Sequence, residues 1–196
     1  MSNSVFSLGA HAAVEGDRSS FVELIATDPN YFANFPVENL PRVIIIQNDT
    51  TYEELTCLEF DPTSNRLEAV IQVKQPSGFG SAAASDGSFE YVRFYVDYGS
   101  GFEDLGYAAV NVRNMPNALN CAKKDDWPLS FTVSVTFSPK MDWCFLPEFL
   151  KVRAILSWQS TPPANSPKFN PVWGNHLDAN IQIAPRPLRF KEAGAG

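Results

Sequence analysis

Histidine is almost missing from this chain: His11 and His176 are the only two. Nucleophilic catalysis needs a base held against its nucleophile, and neither histidine stands beside a serine or cysteine motif. The expectation is a non-enzymatic protein without a cofactor. Gly78-Phe79-Gly80-Ser81 does not make a phosphate loop, because no lysine and no helix start follow it. Cysteine is nearly as scarce. Cys57, Cys121 and Cys144 are odd in number and far apart, which gives neither a disulfide framework nor a metal knuckle. Three ordinary thiols fit a reducing compartment, with a single disulfide left open.

Charge is thin and of the wrong sign for nucleic acid. Charged residues make up 19% of the chain, and 15 Lys and Arg against 22 Asp and Glu leave a net charge of −7. Nucleic-acid binding is dominated by cationic contacts to phosphate, and no basic run exists here. No apolar run approaches the ~18 residues of a membrane span, so membrane insertion is not expected. The opening Met1–Leu8 lacks the basic start and long apolar core of a Sec signal peptide. The expected location is the cytoplasm, with export by a dedicated system left open.

What the chain has in plenty is apolar alternation. Hydrophobic residues are 44% and aromatics 13%, and many of the fifteen prolines lie between the apolar runs, as connections in a β protein require. Glu90–Tyr98 alternates strictly, with Val92, Phe94, Val96 and Tyr98 on one side and Tyr91, Arg93, Tyr95 and Asp97 on the other. That period predicts a strand. Gly99-Ser100-Gly101 breaks it, and a second alternating run follows from Asp104 to Val112, which reads as a β-hairpin.

Around this hairpin the spacing predicts strands at Tyr52–Phe60, Arg66–Lys74, Ser130–Phe137, Leu150–Trp158 and His176–Ile183. Val43–Ile46 is a further candidate, and Asp61-Pro62-Thr63-Ser64-Asn65 is a turn between the first two. Gln75–Ser88 reads as a long Gly- and Ala-rich connection. Thr161–Pro171 reads as a Pro-rich loop leading to Trp173-Gly174-Asn175.

Short alternating strands with no long helical pattern predict an all-β fold. The expectation is a two-sheet immunoglobulin-like β-sandwich of about seven or eight strands. It spans residues 49–184, after an N-terminal arm and packed extension over 1–48 and before a flexible tail over 185–196. Ser20–Ala26 is expected to form a capped helical turn. Phe21, Tyr31, Phe32 and Phe35 make the extension too aromatic to stand free in water, so it must be covered by its own domain or by another chain.

Three pieces carry a resemblance together. They are Tyr52-Glu53-Glu54-Leu55, then Glu90-Tyr91-Val92-Arg93-Phe94 with Asp97 and Asp104-Leu105-Gly106, and finally Val152–Trp158 leading to Pro171-Val172-Trp173-Gly174-Asn175 and Ile181-Gln182-Ile183. In these the chain resembles a group of uncharacterised bacterial β-rich proteins of unknown function. The resemblance covers roughly residues 49–184. It implies a fold and a bacterial source, and it carries no catalytic residue.

Two constellations are candidates for function. Tyr91, Arg93 and Tyr95 share the outward face of one strand, and Tyr107 lies on the corresponding side of its neighbour. Tyr and Arg are enriched in interface hot spots, so these four are the expected binding residues, for a protein partner or for self-association. A second sheet element or the N-terminal segment covering this face is the alternative. Asp97, Glu103 and Asp104 flank the Gly-Ser-Gly turn, where a hard cation such as Ca²⁺ finds carboxylate oxygens. Their spacing matches no known calcium loop. The leading functional expectation is association, as a structural subunit or adaptor. The second is a carbohydrate-type binding module that stacks sugar rings on Trp173, Trp143 or Phe79.

Overall fold

The computed structural model describes residues 47–76, 78–79, 87–114, 128–140 and 148–183. The expected arm, the Ser20–Ala26 turn, the Val43–Ile46 strand and the C-terminal tail lie outside these residues, as do His11, Cys121, Trp143 and Cys144. Within them the chain is all-β, with no helix. Its strands are β1 (Glu53–Asp61), β2 (Arg66–Val73), β3 (Ser88–Asp97), β4 (Phe102–Val112), β5 (Leu129–Thr136), β6 (Glu148–Trp158) and β7 (His176–Ile183). They form two antiparallel sheets, one ordered β1-β2-β5 and the other β4-β3-β6-β7.

The alternation read from the sequence explains the core. Val92, Phe94 and Val96 of β3 and Val152, Ala154, Leu156 and Trp158 of β6 are buried on one face of the four-stranded sheet. They share a single apolar cluster with Leu55, Leu58, Leu67, Ala69 and Ile71 of the three-stranded sheet. Each fully buried large apolar side chain is worth about 1.5–3 kcal/mol, so this shared inner layer is what holds the sheets together. Trp158 and Trp173 meet edge to face within it, with ring centroids 5.3 Å apart.

Two irregularities decide which side chains share a face. In β1 the register shifts between Leu55 and Cys57, leaving Thr56 as an extra residue. Leu55 and Leu58 are three positions apart, which in a regular strand puts them on opposite faces. The bulge lets both point inward, and both are buried. The second shift lies in β4. Phe94 pairs with Gly106 and Tyr95 with Asp104, so Leu105 is extra and packs against the core. The alternation expected from Asp104 to Val112 is therefore broken at Leu105, because a bulge moves every later side chain to the other face.

The Trp173-Gly174-Asn175 segment joins the two sheets at their β1–β7 side. Asp49 forms a parallel bridge with Trp173, and the amides of Asn48 and Asp49 donate to the carbonyls of Pro171 and Val172. Asn175 behaves like a short piece of strand. Its Oδ1 accepts from Leu55 N at 2.7 Å, and its Nδ2 donates to the Leu55 carbonyl at 3.2 Å. Gly174 has φ +118°, and a Cβ there would lie 2.2 Å from the Leu156 carbonyl oxygen, so only glycine fits.

Candidate functional site

The outer face of the four-stranded sheet is divided into a covered half and an open half. Among the described residues, the covering element is the loop between β6 and β7. Its prolines cannot join a ladder, and it runs across the sheet surface instead. The Tyr95 hydroxyl donates to the Pro163 carbonyl at 3.2 Å and lies 3.3 Å from Ser166 N, whose N–H it accepts. Arg153 NH1 donates to the Pro167 carbonyl at 2.7 Å. Phe169 packs on Tyr95 and Ile155 in a small apolar cluster of its own, flanked by Phe102. His176 closes the loop's far end by donating from Nε2 to the Phe169 carbonyl. Removal from water pushes the Tyr95 phenol above its usual range, against the opposing effect of the Ser166 amide.

Arg93 stands at the boundary between the halves. Its Nε donates to the Pro162 carbonyl at 2.7 Å, and its NH1 donates to both carboxylate oxygens of Asp104 at 2.9 and 3.0 Å. The guanidinium carbon lies 5.3 Å from the centroid of the Tyr107 ring, a cation–π distance. Asp104 is tied in three directions. It also accepts from the backbone amides of Asn165, in the loop, and Gly106, in its own bulge, at 2.7 and 2.8 Å. Burial pushes its carboxyl up, but these two amides and Arg93 outweigh it and hold it below the ordinary carboxylate value.

Beyond Arg93 no strap residue contacts the face among the described residues. Phe89 and Tyr91 have ring centroids 5.9 Å apart, and Tyr91 and Tyr107 are 6.0 Å apart. Phe89 is 46% exposed and Tyr107 53%. The four residues expected to bind thus divide into two pairs. Tyr91 and Tyr107 line the open patch, joined by Phe89, which had not been singled out. Tyr95 is fully buried and Arg93 is 8% exposed, so both act from beneath, holding the loop and Asp104. One signal for this cover was present in the sequence. Ile155 is an apolar residue on the outward phase of β6, and it called for something to lie over it.

The three carboxylates near the Gly-Ser-Gly turn are drawn into separate partnerships. Asp97 Oδ1 accepts from the amides of Gly99 and Gly101 at 2.7 and 3.0 Å. Glu103 pairs with Lys140, and Asp104 pairs with Arg93. Among the described residues, no group of three or more His, Cys, Asp or Glu side chains is placed to hold a metal ion. Of the loop aromatics expected to stack on sugars, Trp173 and Phe79 lie in the core, 2% and 1% exposed. No described helix is long and apolar enough to cross a membrane.

No protein-family model matches the chain, and neither a curated protein nor a solved structure matches it.

Proposed function

We propose that this is a non-enzymatic, immunoglobulin-like β-sandwich that acts by protein–protein association, as a structural subunit or adaptor of a larger assembly. The observation that carries this reading is the cluster of Phe89, Tyr91 and Tyr107 beside the strapped part of the sheet face. Neighbouring exposed aromatic rings on one sheet face are the kind of patch that marks an interaction surface. The buried Arg93–Asp104 pair beneath keeps the platform fixed, so little ordering entropy opposes binding. The aromatic N-terminal segment before residue 47 belongs to the same reading, as a part of the chain that must find cover on a neighbour or on its own domain.

The test is the double variant Phe89→Ser/Tyr91→Ser in the full chain. Its melting temperature is expected to stay close to wild type, because Phe89 is half exposed and Tyr91 only partly covered. Its assemblies, measured by light scattering and by cross-linking under native conditions, are expected to be lost. Assemblies that survive the double change would remove the patch from the account.

A further inference from the structure

The strap shows what chemistry this sheet face holds. Side chains of the outward face reach the strap's backbone at several points. Arg93 Nε donates to the Pro162 carbonyl, the Tyr95 hydroxyl to that of Pro163 and Arg153 Nη1 to that of Pro167. His176 serves Phe169 in the same way, so three of these four acceptors are proline carbonyls. Proline has no N–H and leaves the ladder, and its carbonyl is then taken up by side-chain donors. The rings of Tyr95 and Phe102, edge to face with centroids 6.4 Å apart, lie beside these donors.

The same parts continue past the strap. Arg93 belongs to both halves of the face. It is 8% exposed, and its Nε and Nη1 are engaged, while its Nη2 makes no hydrogen bond among the described residues. Its guanidinium lies against Tyr107, and from there the rings of Tyr107, Tyr91 and Phe89 follow one another. The hydroxyls of Tyr91 and Tyr107 are further donors of the kind that Tyr95 supplies beneath the strap. Ala109, exposed and paired with Tyr91, sets a methyl group where a larger side chain would fill the space beside the rings. The carboxylate at the border, Asp104, is already held by Arg93 and two amides. This half of the face therefore offers flat rings and hydrogen-bond donors rather than a charge.

Resting on the association reading above, we infer that the partner presents an extended proline-rich segment to Phe89, Tyr91 and Tyr107. The segment lies beside the strap, leaves it in place and places a carbonyl on Arg93 Nη2. Proline-rich segments dock on aromatic-lined surfaces. Their backbone makes no internal hydrogen bonds, so their carbonyls are available to Arg93 and the two hydroxyls. A helix spends its carbonyls within itself, and an added strand needs a sheet edge rather than a face. Such a segment is also extended before it binds, which keeps the ordering cost low.

The probe is a synthetic proline octamer added to the isotope-labelled full chain, with an alanine–glutamine octamer as reference. At millimolar peptide, amide shifts are expected at Phe89, Tyr91, Tyr107 and Ala109, with Asn165 and Ser166 unmoved because the strap stays seated. Tyr107→Ala is expected to weaken binding about tenfold. Ala109→Glu, which fills the space beside the rings, is expected to abolish it. Both positions are exposed, and unchanged melting temperatures will show that the variants fold. No shift from the proline octamer would overturn the inference, and so would equal shifts from the reference peptide. Shifts gathered at Asn165 and Ser166 would also overturn it, since the peptide would then be displacing the strap. If the proline octamer is silent while assemblies still vanish in Phe89→Ser/Tyr91→Ser, the patch joins partners by other chemistry, and this inference falls while the association reading stands.

Discussion

Asp104 and Tyr107 lie three residues apart on one strand, and yet both face Arg93. A regular strand would send them to opposite sides of the sheet. The extra residue Leu105 and the positive φ of Gly106 rotate the chain between them. One member then grips the guanidinium by its charge and the other by its ring. Bulges commonly re-aim side chains where a surface is used, and this one sets the border between the strapped and the open halves of the outer face.

Gly106 and Gly174 separate two reasons for glycine. At Gly106 a Cβ would meet nothing within 4 Å, so alanine there suffers only the cost of φ +93°, about 1–2 kcal/mol. At Gly174 a Cβ would strike the Leu156 carbonyl, and the backbone itself must move. Urea titration is expected to show a clearly larger loss for Gly174→Ala than for Gly106→Ala. Equal losses would mean that the loop end slides aside easily.

Tyr95→Phe keeps the ring in its apolar cluster and removes only the hydroxyl that bridges Pro163 and Ser166. The expected loss is about 1 kcal/mol. Its location is the sharper test. Amide exchange is expected to quicken over 161–171 and to stay unchanged in β3 and β6. An effect spread through the sheet would contradict the strap.

Asn175→Ala deletes a donor and an acceptor that serve the Leu55 backbone at the β1 bulge. Leaving those groups without partners costs about 1–3 kcal/mol each when they are out of water. A loss of at least about 2 kcal/mol in thermal or urea unfolding is expected. Asn175→Asp is expected to recover only part of it, since a carboxylate accepts from Leu55 N but has nothing to donate to the carbonyl.

Much of this was legible in residues and some was not. The inward sets of β3 and β6 follow from strict alternation, because burial of one face imposes a period of two. The β4 bulge interrupts a run that looks regular on paper, and a lone glycine inside a strand is its only local sign. From its sequence the strap reads only as a Pro-rich loop. Its anchors join residues 61 to 71 positions apart, and no local pattern reports such pairs. For the same reason the sequence placed Tyr95 at the surface and left Phe89 unremarked.

Acid is expected to weaken the fold through Asp178. Hydrogen bonds from Arg153 hold its carboxyl down at about 2, against the opposing effect of burial and with Lys151 adding to them. Above the ordinary value of 3.8 both folded and unfolded chains carry the charge, and the stabilisation is complete. As the pH falls below that, the unfolded chain takes up the proton first, and the contribution is lost down to about pH 2. Asp178→Asn is expected to unfold at lower urea near neutral pH and to change less than wild type between about pH 4 and pH 2. An unchanged slope would mean that the Arg153 pair is not formed in solution.

The most direct measurement is a pair of amide spectra of the full-length protein, dilute and concentrated. If association runs through the open half of the outer face, concentration-dependent shifts will cluster at Phe89, Tyr91 and Tyr107, with β1 and β7 silent. Spectra that superimpose at all concentrations, or shifts gathered on the β1–β7 side, would contradict the account.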